Sequence, residues 1–121
     1  MAKKPVICPS EEREQFVVVQ WMELKRITFI HVPNEGKRSR LAGAKLKAQG
    51  LKTGFPDLLI FDIPPKRPGY RGVAIEMKRI EGSKTPKEQE EWLAKLRELG
   101  WFAMVCKGAD KAIKALEELG F

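Results

Sequence analysis

Three charged residues, Asp57, Glu76 and Lys78, lie at the ends of two apolar stretches that are long enough to be β-strands. Asp57 opens the first stretch, 57–62, while Glu76 and Lys78 close the second, 73–78. Side chains alternate across a strand, so Glu76 and Lys78, two residues apart, are expected to point to the same face. If the two stretches pair, two carboxylates and one ammonium group share a small patch.

The connection between these stretches is typical of a β-hairpin with a long loop. It is rich in the residues that break regular structure: Pro64, Pro65, Pro68, Gly69 and Gly72. In an antiparallel pair, the start of one strand lies beside the end of the next. The hairpin therefore predicts that Asp57 comes close to Glu76 and Lys78.

The chemistry predicted for this patch is a metal-assisted reaction at a phosphate group. Two neighbouring carboxylates repel each other unless a cation lies between them. Mg²⁺ prefers hard oxygen ligands and retains water and phosphate in its shell. Asp57 and Glu76 are therefore candidate metal ligands, and Lys78 could orient or deprotonate a water or stabilise charge on phosphate. The alternative interpretation is a salt bridge without a catalytic role.

The positive charge of the chain is concentrated around the same residues. The formal net charge is +7, and residues 37–85 hold twelve Lys or Arg against four Asp or Glu. A basic field around a carboxylate cluster suits a polyanionic substrate, although a generally basic surface is the alternative. The side chains predicted to contact nucleic acid are Asn34, Lys37, Arg38, Arg40, Lys45, Lys47, Lys52 and Arg79.

The flanking sequence predicts the elements that must position these residues. Ser10 is a good N-cap for a helix that ends between residues 24 and 26, and a short strand is predicted at 27–32. Helices are predicted at 37–49, 86–99 and 108–119, with a strand at 101–106. A right-handed crossover through the helix at 86–99 makes the two strands around it parallel neighbours. The prediction is an α/β domain with a mixed sheet and the order α-β-α-β-β-α-β-α.

Length and composition predict one domain. The 121 residues suit a single modest core at 10–121, preceded by a flexible arm at 1–9. No apolar run is long enough to span a bilayer, and no small-molecule cofactor is expected. Cys8 and Cys106 are far apart, which indicates reduced thiols and a cytoplasmic protein.

The motifs resemble a known nuclease family. Pro56-Asp57 followed by Glu76-x-Lys78 is similar to the PD-(D/E)xK nuclease motif. The surrounding segments, in order, resemble the VRR-NUC domain, the virus-type replication–repair nuclease, from about Ser10 to about Leu119. These segments are Asn34-Glu35-Gly36, Gly54-Phe55-Pro56-Asp57-Leu58, Ile75-Glu76-Met77-Lys78-Arg79, Gln89-Glu90-Glu91-Trp92-Leu93 and Leu99-Gly100-Trp101. The resemblance implies a restriction-endonuclease-like core.

The resemblance also implies further site residues. A glutamate of the first helix joins the metal site in this family; Glu11 fits that position best, and Glu14 is its rival. The alternative is that this glutamate is a solvated charge at the helix N-terminus. Gln89 is expected to orient water or phosphate, and the backbone carbonyl of Met77 is a further candidate ligand. The implied cofactor is Mg²⁺, with Mn²⁺ as a substitute.

The function implied by the resemblance is metal-dependent DNA endonuclease activity of phage or prophage type. The expected substrate is branched DNA such as a Holliday junction, cut by a homodimer in the cytoplasm of a bacterial host. Two alternatives stay open: a non-catalytic nucleic-acid-binding module, and a nuclease subunit that needs a partner. The binding module predicts binding that does not depend on metal and is unchanged by Asp57→Ala.

Overall fold

The computed structural model describes residues 8–33 and 40–121. The elements are α1 (Glu11–Leu24), β1 (Phe29–His31), α2 (Arg40–Ala48), β2 (Leu58–Ile60), β3 (Val73–Lys78), α3 (Lys87–Glu98), β4 (Phe102–Lys107) and α4 (Ala109–Glu118). This order confirms the predicted one. Most of the predicted arm at 1–9 lies outside the described residues. Within the described ranges, no helix is long and apolar enough to cross a membrane.

The four strands form one mixed sheet in the order β1-β2-β3-β4. β1 pairs with β2 and β2 with β3 in antiparallel fashion, whereas β3 and β4 are parallel. The predicted hairpin is therefore confirmed, and so is the parallel pairing of the two strands on either side of α3. β1 is shorter than the predicted strand at 27–32, yet the N–H of Val32 still donates to the carbonyl of Asp57.

Helix α1 begins where its cap predicts. The Ser10 hydroxyl accepts a hydrogen bond from the Arg13 N–H at 3.1 Å, and the first turn is acidic, which the helix dipole favours. Val18 and Met22 are buried against the sheet. The cap and this buried stripe outweigh the strand preference of the β-branched run at 17–19.

Alternation along β3 divides its side chains between the two faces of the sheet. Val73, Ile75 and Met77 belong to the core that α1 and α4 cover. Ala74 belongs to the smaller core under α3, and by alternation Glu76 and Lys78 follow it on that face. The strand thus carries two ionisable side chains into a buried layer beside α3.

Candidate active site

Asp57 and Glu76 lie opposite each other across the hairpin of β2 and β3. Leu58 pairs with Ile75, and one further step along this antiparallel register places Asp57 opposite Glu76. The N–H of Met77 donates to Asp57 Oδ2 at 2.8 Å, which orients this carboxylate. The two predicted ligands therefore meet, as the hairpin requires.

The backbone of Met77 faces the same place. The N–H and C=O of one strand residue project to the same side of the strand, and the N–H of Met77 already reaches Asp57. Its carbonyl is therefore directed towards the β2 side as well. This is the orientation that the predicted backbone ligand needs, while the Met77 side chain is buried in the core.

Lys78 and Gln89 both approach the same oxygen of Glu76. Lys78 Nζ lies 3.5 Å from Glu76 Oε1, and both side chains are buried. Gln89 Nε2, on the first turn of α3, donates to the same Oε1 at 3.1 Å. The structure thus brings together Asp57, Glu76, Lys78 and Gln89, which come from three separate segments of the sequence.

Glu11 and Glu14 occupy different places although both belong to the first turn of α1. Glu11 is half-buried, and a carboxylate oxygen of it lies within 4.8 Å of oxygens of Asp57 and Glu76. Glu14 is buried and accepts a hydrogen bond from the N–H of Ala109, the first residue of α4. The geometry therefore places Glu11 beside the other carboxylates, and Glu14 caps α4.

We expect Glu14→Ala to lower the free energy of unfolding by about 2 kcal/mol, because the substitution leaves a buried helix N-terminus without its acceptor. Thermal unfolding should show a loss of roughly 6–10 °C in Tm. Glu12→Ala is the matched control, since Glu12 is exposed on the same turn. Equal losses for the two variants would contradict the capping role.

The electrostatics of the cluster favour one proton in the absence of a cation. Burial, followed by the charge of Asp57, raises the pKa of Glu76 from 4.5 to about 8, although Lys78 acts in the opposite direction. A hydrogen bond with the Asp57 side chain contributes to the increase, and so does the charge of Glu11. The proton belongs to the Asp57–Glu76 pair rather than to one residue.

The donor set fits a divalent cation. Glu11, Asp57 and Glu76 each offer a carboxylate oxygen, and these oxygens lie within 4.8 Å of one another. Glu76 Oε2 is buried and accepts no hydrogen bond from any residue that the structure describes. A buried carboxylate oxygen without a donor is costly, and three hard oxygen ligands are what Mg²⁺ and Mn²⁺ prefer.

Gly54 sets the distance between the strand that carries Asp57 and the helix that carries Gln89. It has φ of +86°, and a Cβ there would lie 2.8 Å from the backbone C of Glu88 and 3.0 Å from Gln89 N. Phe55 and Trp92 pack edge to face beside it, with 5.0 Å between ring centroids. The loop is thus seated directly on the first turns of α3.

We expect Gly54→Ala to lower the free energy of unfolding by about 2–4 kcal/mol, because it adds a clash with α3 to an unfavourable backbone conformation. Gly50→Ala is the matched control: Gly50 has φ of +105° but open space around it. That variant should lose only the backbone cost of about 1–2 kcal/mol. Equal losses in urea unfolding would show that the contact with α3 is unimportant.

His31 and Gln15 also lie beside Asp57, and the sequence did not single them out for the site. His31 Nδ1 is 2.8 Å from the Asp57 carbonyl oxygen, which can only accept, so this nitrogen carries the proton. The Gln15 amide lies 3.0 Å from the same nitrogen. The available signal was the position of Gln15, one helical turn after Glu11.

The predicted nucleic-acid contacts are only partly within the described residues. Lys45, Lys47, Lys52 and Arg79 are exposed. Asn34, Lys37, Arg38 and the side chain of Arg40 lie outside what the structure describes. The exposed group occupies the segments that lead into Asp57 and out of Lys78, and its contact with nucleic acid stays a prediction.

Comparison with known proteins identifies what this geometry is similar to. A family model described as the VRR-NUC domain matches residues 9–110. A solved structure titled "VRR_NUC domain protein" superposes with a TM-score of 0.76 and 30% sequence identity, covering 95% of this chain and 91% of that one. No curated protein matches the chain.

Proposed function

Because the chain belongs to the VRR-NUC domain family, and is thus a nuclease of the PD-(D/E)xK type that acts on nucleic acid, we propose that it is a metal-dependent DNA endonuclease. The observation that carries the proposal is the cluster of three carboxylates, in which Asp57 and Glu76 are buried and Glu11 is half-buried. Within this cluster, Glu76 Oε2 has no hydrogen-bond donor among the described residues. Lys78 Nζ lies near Oε1, the other oxygen of the same carboxylate.

The residues of the site have different roles in phosphodiester hydrolysis. Asp57, Glu76 and Glu11 would hold the cation, which when bound supplies Lewis-acid polarisation of a phosphoryl oxygen and lowers the pKa of water. Gln89 and Lys78 hold Glu76 Oε1, so that Oε2 remains for this purpose. Lys78 also donates hydrogen bonds to the attacking water or to a phosphate oxygen. The water oxygen bonds to phosphorus and gives up a proton to solvent, the ester P–O bond breaks, and the leaving oxygen takes up a proton from solvent.

The substrate that we propose is branched DNA, such as a Holliday junction, cut by a homodimer with one site for each of two strands. The exposed Lys45, Lys47, Lys52 and Arg79 support a substrate with phosphates on both sides of the site. Phage-type origin and a cytoplasmic location stay predictions from the sequence.

A cleavage assay tests this function. Single-stranded, duplex, flap and four-way-junction DNA would be incubated with the protein in Mg²⁺, Mn²⁺ or EDTA. We expect cleavage that requires metal, is fastest on the junction and is lost in Asp57→Ala. Asp110→Ala, which removes an exposed carboxylate on α4, is the control.

Three outcomes would contradict the proposal. Equal cleavage by Asp57→Ala and the unaltered protein would remove Asp57 from the mechanism. DNA binding without cleavage, unaffected by metal, would favour the binding module. Cleavage only after a second protein is added would favour the partner-dependent subunit.

A further inference from the structure

A cavity of about 750 Å³ opens directly beside the carboxylates, between the start of α1 and the end of β1. Asp57 and Glu11 belong to its wall. Its volume falls within the roughly 300–1,000 Å³ of pockets that enclose organic ligands. The cavity is thus large enough to hold an organic group next to the reacting phosphate. The chemistry of the lining residues determines which kind of group can bind.

The lining includes an aromatic ring that the fold does not need for its own core. Phe16 remains 59% exposed although it lies on a helix whose Val18 and Met22 are fully buried. Val19 and Pro33 extend the same apolar lining. Aromatic side chains at such positions are platforms on which nucleobases stack, at about 1–3 kcal/mol per base.

The charges of the lining do not favour a second phosphate. Glu11 and Asp57 would hold the cation, Glu12 adds a carboxylate outside that set, and none of the described lining residues is Lys or Arg. The polar lining residues that carry no carboxylate are Ser10, Gln15 and His31, and the last two can form hydrogen bonds with a base edge. The cavity therefore matches an uncharged, flat and polar-edged group rather than the sugar–phosphate backbone.

We propose that this cavity holds an unpaired nucleobase of the strand that is cut, stacked on Phe16 next to the phosphate at the carboxylates. The inference rests on the proposed nuclease function and deepens it. A base in a duplex must give up pairing and stacking before it can enter, whereas an unpaired base does not. The cavity therefore favours substrates in which a base beside the scissile phosphate is unpaired or lies at a branch point, where it opens more readily than within a duplex arm.

The test combines protein and substrate changes. Oligonucleotides that carry one abasic site at each successive position around the cut would be compared for kcat/KM. For the unaltered protein, one abasic position should lower cleavage about 5- to 100-fold. Phe16→Leu should lower cleavage of the intact substrate by a similar factor and remove its sensitivity to that abasic site. Phe16→Trp keeps an aromatic ring and should retain both the cleavage rate and its sensitivity to the abasic site. Val17→Ala should change neither quantity, because Val17 is exposed on α1 outside the lining.

The outcomes separate this inference from the proposed function. If the protein cleaves DNA but Phe16→Leu and the abasic series have no effect, or act independently, the cavity does not hold a base. Alternatively, Phe16→Leu and Val17→Ala could both lose activity while light scattering shows that each variant no longer forms a dimer. Phe16 would then belong to a contact between two copies of this protein, and the inference would be wrong. If nothing is cleaved, the proposed function fails. The affinity of the protein for each abasic oligonucleotide, measured by fluorescence anisotropy, then tests the inference. If no abasic position lowers the affinity, the inference is wrong.

Discussion

Replacement of Lys78 by methionine is expected to lower the rate of DNA cleavage about 100- to 1,000-fold, with little loss of fold. Lys78 is buried 3.5 Å from Glu76 Oε1, in a place where little water screens its charge. A preorganised positive donor in such a site contributes several kcal/mol to the stabilisation of developing negative charge. Methionine preserves the length and apolar stem of the side chain but cannot donate a hydrogen bond or carry charge.

Single-turnover cleavage in saturating Mg²⁺ measures this effect on the chemical step. Lys107→Met is the matched control, because Lys107 pairs with Lys78 across β3 and β4 but is exposed. It should change the rate by less than about ten-fold, through phosphate contacts alone. The catalytic role would be wrong if both variants lost activity equally, or if Lys78→Met lost activity only because it no longer bound DNA.

Replacement of Glu76 by glutamine is expected to stabilise the metal-free protein by about 2–4 kcal/mol at pH 9. Burial and the charge of Asp57 raise the pKa of Glu76 to about 8 in the folded protein, against 4.5 ordinarily. Between these pH values the folded state holds a proton that the unfolded state has lost. The stability contributed by that proton is fully present below pH 4.5 and is lost as the pH rises through 8. The upper bound of the loss is about 5 kcal/mol.

Urea unfolding of both proteins at pH 5 and pH 9 in EDTA measures the difference. Glutamine cannot ionise, so Glu76→Gln should lack most of the pH dependence, and the two curves should converge at pH 5. Mg²⁺ should restore the stability of the unaltered protein at pH 9 and have less effect on the variant, because a ligand that binds only the folded state stabilises it. Parallel pH profiles would contradict the shared proton.

Both predictions follow from the burial of charged side chains, which lowers the stability of the fold. β3 places Glu76 and Lys78 in a buried layer that apolar side chains would fill with less loss of solvation. The buried Glu76 carboxylate is tolerated because Gln89 and Lys78 satisfy Oε1, while Oε2 remains without a donor among the described residues. The site thus lowers the stability of the fold, and a cation that binds there as proposed would raise it again.

The sequence by itself determined the elements and the central site. Alternation places Glu76 and Lys78 on one face of a strand, and a loop rich in Pro and Gly makes the hairpin that brings Asp57 to them. Local signals of this kind act over a few residues: Ser10 caps α1, and Gly50 takes a positive φ after α2. Because these preferences belong to the chain itself, the element order and the Asp57–Glu76–Lys78 cluster follow from it.

Tertiary structure alone decided which neighbours meet between elements that the hairpin does not connect. Glu11 and Glu14 both lie in the first turn of α1, and only the packing of this helix brings one to the carboxylates and the other to the N-terminus of α4. Gly54 belongs to a segment that carries the family resemblance, but only the structure shows that it approaches the backbone of α3. The cavity under Phe16 likewise depends on the distance between α1 and β1. Such distances depend on how whole helices and strands pack, and periodicity within one element carries no information about them.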